Sequence, residues 1–406
     1  MADFHQNGNI ATLHNLRTRS ADELTYELES FAQSRKLSLV LPCLYSELET
    51  PAMPNILAEL AKVKYLHRVV IGLDRADEQQ FRYAKEFFKG LNQNHIVIWN
   101  DSPRMLELER RLDKLGLAPA EQGKGKNVWS SIGYLIACAD SAVMAIHDCD
   151  IVTYNNEMLA RLIYPVANPN FPYQVSKGFY ARIGQGKLNG RVTRLLVSPL
   201  LIALKRVIGD HDYLDYLRSF RYPLSGEFAM RTTILPDLRI PSDWGLEIGV
   251  LSEAWRNLAP KAVCQVEISD AYDHKHQTLS EEDATAGLNR MSTDICKAIF
   301  RKLAADGCVF SPNIFRTLKA TYYRSALDLL NAYYDDAQMN GLVVDRHEEE
   351  RCIELFAENL MRAGHFFLEN PHETPFIPTW NRVYSADPDF LMALHSAAAE
   401  DDAEFS

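Results

Sequence analysis

Short apolar runs alternate with amphipathic stretches along the first two-thirds of the chain. Leu37 to Leu41, Arg68 to Gly72 and His95 to Trp99 are too short for helices and rich in branched residues, so each is predicted to be a buried strand. A fourth run, Ala142 to Ile146, leads directly into His147-Asp148-Cys149-Asp150. An opening helix is signalled by Ser20-Ala21-Asp22-Glu23, a capping box in which Ser20 and Glu23 satisfy otherwise orphaned backbone donors. Strands alternating with helices imply a mostly parallel sheet covered on both faces. Ligands of such sheets sit beyond the carboxyl ends of the strands, which is where residues 147–150 fall.

The texture changes from Tyr164 to Gly190, where Pro165, Pro169, Pro172, Gly178, Gly184 and Gly186 predict loops and a mobile flap. A compact stretch follows from Leu195 to Tyr272, with a turn at Trp244-Gly245. After Thr278 the pattern becomes helical: Ser280 to Asp283 is a second capping box, and Leu288, Met291, Ile295 and Ile299 keep one apolar face. Leu318, Tyr322, Leu329 and Tyr333 continue it, as do Ile353, Phe356 and Leu360. Stripes of this kind are core or subunit interface, and these exceed what a thin extension can bury, so a homodimer is expected. The acidic end, Ala397 to Ser406, is expected to fray.

Composition narrows the classes. The 406 residues are 47% hydrophobic and carry a formal net charge of −11. That charge argues against a general nucleic-acid binder, which needs a basic face, yet leaves room for a small anionic ligand in a locally positive pocket. Seven cysteines without a Cys-x-x-Cys pair indicate neither a zinc knuckle nor a disulfide framework. They fit reduced thiols in a cytoplasmic protein. Met1 to Asn15 lacks the apolar core of a signal peptide, and no run approaches the ~18 apolar residues of a membrane span.

Several constellations carry candidate chemistry. Alternate residues of an extended chain face the same way, so Asp148 and Asp150 can share a ligand while Cys149 turns inward. Two hard oxygen donors beside a diphosphate suit Mg²⁺ or Mn²⁺; the bland alternative is a solvated turn. Gly123-Lys124-Gly125 offers close backbone approach and a point charge, or is merely a surface loop before a helix beginning near Asn127. His274, after the strand-like run Ala262 to Ile268, could complete a metal site begun by Asp150. His147 is the competing ligand, placed for packing. Glu227 and Glu247 each lie beside glycines, placed for sugar hydroxyls or simply for a helix N-terminus. Gly190-Arg191-Val192-Thr193 suits a phosphate or carboxylate. A zinc-protease helix fails because Arg351 stands where a histidine is needed, and no Gly-x-Ser-x-Gly elbow exists.

The order of these motifs is more telling than any one of them. Pro42 after the first strand, Gly123-Lys124-Gly125, Asp148-x-Asp150, Gly190-Arg191-Val192-Thr193, Pro223-Leu224-Ser225-Gly226-Glu227, Gly245-Leu246-Glu247-Ile248-Gly249 and His274 together resemble the glucosyl-3-phosphoglycerate synthases over about Leu37 to Leu279. The resemblance implies a retaining GT-A glycosyltransferase: a Rossmann-like α/β fold with a mostly parallel sheet and a helical C-terminal extension. It implies transfer of glucose from a nucleoside-diphosphate-glucose to D-3-phosphoglycerate, giving the precursor of glucosylglycerate, a compatible solute. By the same resemblance Pro42, Leu44 and Glu47 line the nucleotide with Gly123 and Lys124. Asp150 and His274 bind the metal, Asp148 holds the ribose or a metal-bound water, Glu227 binds the donor sugar, and Gly190, Arg191 and Thr193 grip the acceptor.

Three domains are then expected: 1–35 as a helical arm, 36–279 as the catalytic domain and 280–406 as the helical extension. The chain departs from the family pattern at Cys43-Leu44-Tyr45-Ser46-Glu47, at Lys126 and at Tyr272. Rival readings are a related mannosyl- or glucosyltransferase acting on glycerate, a nucleotide-sugar nucleotidyltransferase, and a non-catalytic nucleotide-sugar binder. The second would need a glycine-rich loop with an arginine near the N-terminus, which Leu39 to Leu48 lacks.

Overall fold

A computed structural model describes residue 6 and residues 8–273, 287–371 and 376–405. Its strands are β1 (Ala11–Leu13), β2 (Leu37–Leu44), β3 (Leu66–Asp74), β4 (His95–Trp99), β5 (Val143–Ile146), β6 (Val175–Tyr180), β7 (Ile183–Gly184), β8 (Lys187–Leu188), β9 (Phe228–Arg231) and β10 (Val263–Ser269). Eight of them form one sheet in the order β1-β10-β6-β9-β5-β2-β3-β4, and β7 and β8 form a small hairpin. Each neighbouring pair in the large sheet is parallel except those made by β9 with β5 and β6. The GT-A-like α/β architecture and the helical C-terminal region are as the sequence implies.

The four runs read as strands are strands, and β2 and β3 run longer than their apolar cores. Ser20 caps the helix Ala21–Ala32 as expected, accepting from the Glu23 amide while Glu23 accepts from the Ser20 amide. The second capping box, at 280–283, lies outside the described residues. Three expectations need correction. The N-terminal arm is not only helical, because Ala11–Leu13 pairs with β10 and forms one edge of the sheet. The stretch 164–190 is not simply loop, because β6 lies inside the sheet between β10 and β9 with every position buried. Ser176, Lys177 and Gly178 disguise it, since a strand buried on both faces usually reads as continuously apolar.

The third correction concerns the acidic end, which is docked. The helix Phe390–Glu404 packs on β4 and on the helices Pro103–Asp113 and Lys124–Cys138. Arg104 reaches Glu400, Asp401 and Glu404 at 3.1, 2.7 and 2.7 Å, so acids that look like a solvated tail share one cation. Phe405 meets Phe81 and Trp99 edge-on.

The helices Gly287–Ala305, Pro312–Met339 and Arg346–Glu369 pack together, the second also lying along Ser198–Ile208. Leu288, Ile295, Ile299, Leu318, Tyr322, Ile353, Phe356 and Leu360 are all buried within the one chain. A second copy is therefore not needed to cover them. Trp380 stacks on Trp129 with ring centroids 4.0 Å apart, so the extension shares a core with the sheet rather than hanging from it.

Candidate active site

The order of strands changes direction at β2, which has β3 and β4 on one side and β5 on the other. The region beyond the carboxyl ends of β2 and β5 is the usual place for a ligand in an open parallel sheet. β2 pairs with β3 as far as Leu44 but with β5 only as far as Val40. Pro42, which has no amide proton to offer, therefore lies past the β5 ladder. Glu47 closes the short turn after β2 by accepting from the Leu44 amide at 2.8 Å. Burial pushes its carboxyl up to about 7, with the charges of Asp150 and Asp148 adding to the shift.

Asp148 and Asp150 follow β5, partly exposed, with Cys149 buried between them. The chain turns at 149–150 rather than continuing extended, yet both carboxylates act electrostatically on Glu47 and on Tyr272. His147 is fully buried and edge-on to Tyr154. Burial pushes its pKa down to about 4, which suits the packing role expected for it. His274 and His276 lie outside the described residues.

Gly123-Lys124-Gly125 is not a loop before a helix. Gly123 is the N-cap and Lys124–Cys138 is already helical, starting three residues before Asn127. Lys124 Nζ stands 2.5 Å from Asp148 Oδ1 and 3.4 Å from Glu247 Oε1. Burial works against its charge, but Asp148 and Glu247 outweigh that and hold the pKa above its ordinary value. With 35% of the side chain exposed, water weakens this pull. The helix N-terminus points its own partial positive charge the same way. Lys126, a departure from the family pattern, is buried and paired with Glu109 at 2.7 Å.

The antiparallel sense of β9 brings its first residues to the carboxyl end of its neighbours, so Glu227 arrives beside Asp148. A Cβ on Gly226 would lie 2.3 Å from an Asp148 carboxylate oxygen, so only glycine allows that approach. Ser225 is tied to β6, its hydroxyl donating to the Gly178 carbonyl at 2.5 Å. Glu227 is fully buried and accepts from Tyr180 at 2.8 Å and from Tyr272 at 2.6 Å. Those two rings stack at 3.7 Å. Burial, and then the Asp148 charge, raises the Glu227 pKa.

Lys177 escaped the sequence reading, although a lysine inside an otherwise inward-facing strand was a visible signal. It is fully buried, donates to the Ser225 carbonyl and lies 3.5 Å over the Phe228 ring. Burial pushes its pKa down to about 7. The unfolded chain then holds a proton that the folded chain lacks between about 7 and the ordinary 10.5. Stability should therefore rise with pH across that window, by about 1.4 kcal/mol per pH unit for a whole proton. Urea unfolding of the wild type should show the rise, and Lys177→Met should lack it. Parallel pH profiles for the two proteins would count against a neutral buried amine.

The Gly190-Arg191-Val192-Thr193 run opens the helix that continues as Ser198–Ile208. Gly190 has φ +77°, a backbone conformation that favours glycine, and the following Val192–Val197 turn is π-helical, a geometry frequent at functional sites. Arg191 pairs with Glu348 at 2.8 Å, an acid from the C-terminal helices that no local pattern in the sequence announces. Thr193 is buried, and among the described residues its hydroxyl has no hydrogen-bond partner, nor do Asn189 Nδ2 and Arg182 Nε. Arg182 donates to the Tyr222 hydroxyl at 3.2 Å and lies over Tyr272, which links this loop to Glu227.

A sheet whose switch point gathers paired aspartates, a lysine at a helix N-terminus and a buried glutamate is that of a GT-A nucleotide-sugar glycosyltransferase. No family model matches the chain. The glucosyl-3-phosphoglycerate synthase of Persephonella marina is 46% identical over 404 residues, covering 100% of each chain. That of Methanococcoides burtonii is 37% identical over 408 residues, covering 99% of each. The chain belongs to the glucosyl-3-phosphoglycerate synthases. A crystal structure of the Mycobacterium tuberculosis synthase, in complex with Mn²⁺, uridine-diphosphate-glucose and phosphoglyceric acid, has a TM-score of 0.53. It is 22% identical, covering 73% of this chain and 88% of that one, a likeness of fold.

Proposed function

We propose that this chain transfers glucose from a nucleoside-diphosphate-glucose to D-3-phosphoglycerate. The observation that carries the reading is the convergence of Asp148, Asp150, Lys124 and Glu227 at one switch point, in a chain with full-length relatives of that name. Pro42, Leu44 and Glu47 line the nucleotide side, with Gly123 and Lys124 opposite. Asp150, with His274 from outside the described residues, holds Mg²⁺ or Mn²⁺, and Asp148 holds the ribose or a metal-bound water. The clustered carboxylates are the hard oxygen donors that such an ion takes. Once bound, it stabilises charge developing on the departing diphosphate. Lys124 adds positive charge on the same side, and Glu227, held by two tyrosines, accepts from sugar hydroxyls.

Gly190, Arg191 and Thr193 receive the acceptor. The unpartnered Thr193 hydroxyl and the nearby unpartnered donors of Asn189 and Arg182 support this, because an anionic ligand would satisfy them. Phosphate would take Arg191 from Glu348, a pair open enough to exchange. We further propose that 36–279 acts as the catalytic unit behind an arm at 1–35, with 280–406 covering it and supplying Glu348. Seven cysteines outside any disulfide support a reducing, cytoplasmic setting, with glucosylglycerate, a compatible solute, downstream.

The test is a donor and acceptor panel assayed with and without Mg²⁺. Arg191→Ala should raise KM for 3-phosphoglycerate about ten- to a hundredfold, as expected for losing a charge-assisted contact of about 1.5–3 kcal/mol. Arg191→Lys should recover only part of this, since an ammonium lacks the bidentate fork. Equal KM values across the three proteins would remove the assignment, and turnover of glycerate but not its phosphate would replace the acceptor.

A further inference from the structure

None of the roles above uses the two thiols beneath the paired aspartates. Residues Leu37 to Val40 of β2 pair with Val143 to Ile146 of β5. The same offset carried past the end of β5 sets Cys43 opposite Cys149. Their sulfurs and a Glu47 carboxylate oxygen all lie within 4.8 Å of one another. Both thiols are 1% exposed, whereas Glu47 is only partly covered, so the cluster meets solvent through its carboxylate.

We propose that Cys43, Cys149 and Glu47 form a site for a thiophilic divalent cation of the zinc class, and that filling it blocks the nucleotide donor. Two sulfurs and a carboxylate supply three corners of a tetrahedron, leaving the fourth for water. Zinc–sulfur bonds of about 2.3 Å set tetrahedral sulfurs about 3.8 Å apart, so the cluster need contract by no more than about 1 Å. Each thiol gives its proton to solvent as its sulfur–metal bond forms. Mg²⁺ takes oxygen ligands and does not compete for sulfur, so this position differs in kind from the aspartates above it. The thiols could instead join to each other, but a carboxylate within the same 4.8 Å favours a metal. Only the blocking of the donor rests on the reading above, through the role given to Glu47.

The test uses Cd²⁺ as probe on the full-length, metal-stripped chain, kept reduced with a phosphine in excess Mg²⁺. The expected result is one equivalent bound with thiolate-to-metal ultraviolet absorption. Cys43→Ala and Cys43→Ser should lose that absorption and weaken binding well beyond the about 10–100-fold typical of outer-shell changes. Glu47→Gln should keep the absorption but bind more weakly, and Cys308→Ala should match the wild type. Absorption that survives undiminished in both Cys43 variants, checked as folded by their melting curves, overturns the site. So does a reduced wild type that takes up no Cd²⁺, or a mass loss of two hydrogens on isolation that reduction reverses without restoring uptake. Cd²⁺ should raise KM for the donor at least about tenfold in the wild type and not in Cys43→Ala. Full absorption without that rise overturns the blocking claim and the nucleotide role of Glu47, while the metal site stands.

Discussion

Asp150→Ala should lose glucosyl transfer by about a thousandfold or more, with little change in melting temperature. A divalent ion on a departing diphosphate is worth several kcal/mol, and about 1.4 kcal/mol is a factor of ten in rate. Asp150 sits in a partly exposed turn after β5, where shortening a side chain opens no cavity, so the fold should survive. Asp150→Asn should retain more activity than the alanine variant, because one oxygen donor remains. A chelator should bring the wild type to the same floor, and excess Mn²⁺ should restore it. Full turnover in excess chelator would sink the metal assignment whatever the variant did.

Glu227→Gln should lower kcat by about a hundredfold or more, and the tyrosines explain why so small a change costs so much. Both carboxylate oxygens accept a phenolic proton, and an amide nitrogen placed against either hydroxyl leaves that buried phenolic proton without the acceptor it had. Buried polar groups forced into such mismatches lose far more than an exposed pair would. Tyr272→Phe removes the shorter bond and should lower kcat/KM about ten- to a hundredfold. In the Glu227→Gln background the same Tyr272 change should add little, because groups acting as one unit are not additive. Additive losses in that double-mutant cycle would show that Tyr272 does not work through Glu227.

Tyr272 also shows how far the sequence could be read. In sequence it stands out only as a departure from the family pattern, and its stacking on Tyr180 joins residues 92 positions apart in the chain. No local pattern reports such a pairing. Asp148 and Asp150 were legible because an apolar run ends in them, and strand ends are local facts. The start of the Lys124 helix was misplaced since Gly123 and Gly125 look like loop, and the glycine cap is revealed only by the helix it begins. β6 was missed for the opposite reason: its lysine, serine and glycine argue against a buried strand until Ser225 and Glu227 are placed beside them. Glu348 illustrates a third limit. Its acid is one of three in succession at 348–350, and only the packing of the extension selects the one that meets Arg191.

The two edge strands of the large sheet, β1 and β4, both depend on segments far away in the sequence. β1 pairs with β10, which lies about 250 residues later, and the helix Phe390–Glu404 packs on β4. At about 5–20 residues per second, synthesis of the roughly 250 residues between β1 and β10 takes about 12–50 s. For most of that time the nascent sheet carries open strand edges, the surfaces on which chains pair wrongly. The sheet can therefore be completed only once β10 and the helix Phe390–Glu404 have been made, and the yield in a cell should depend on what shields those edges until then.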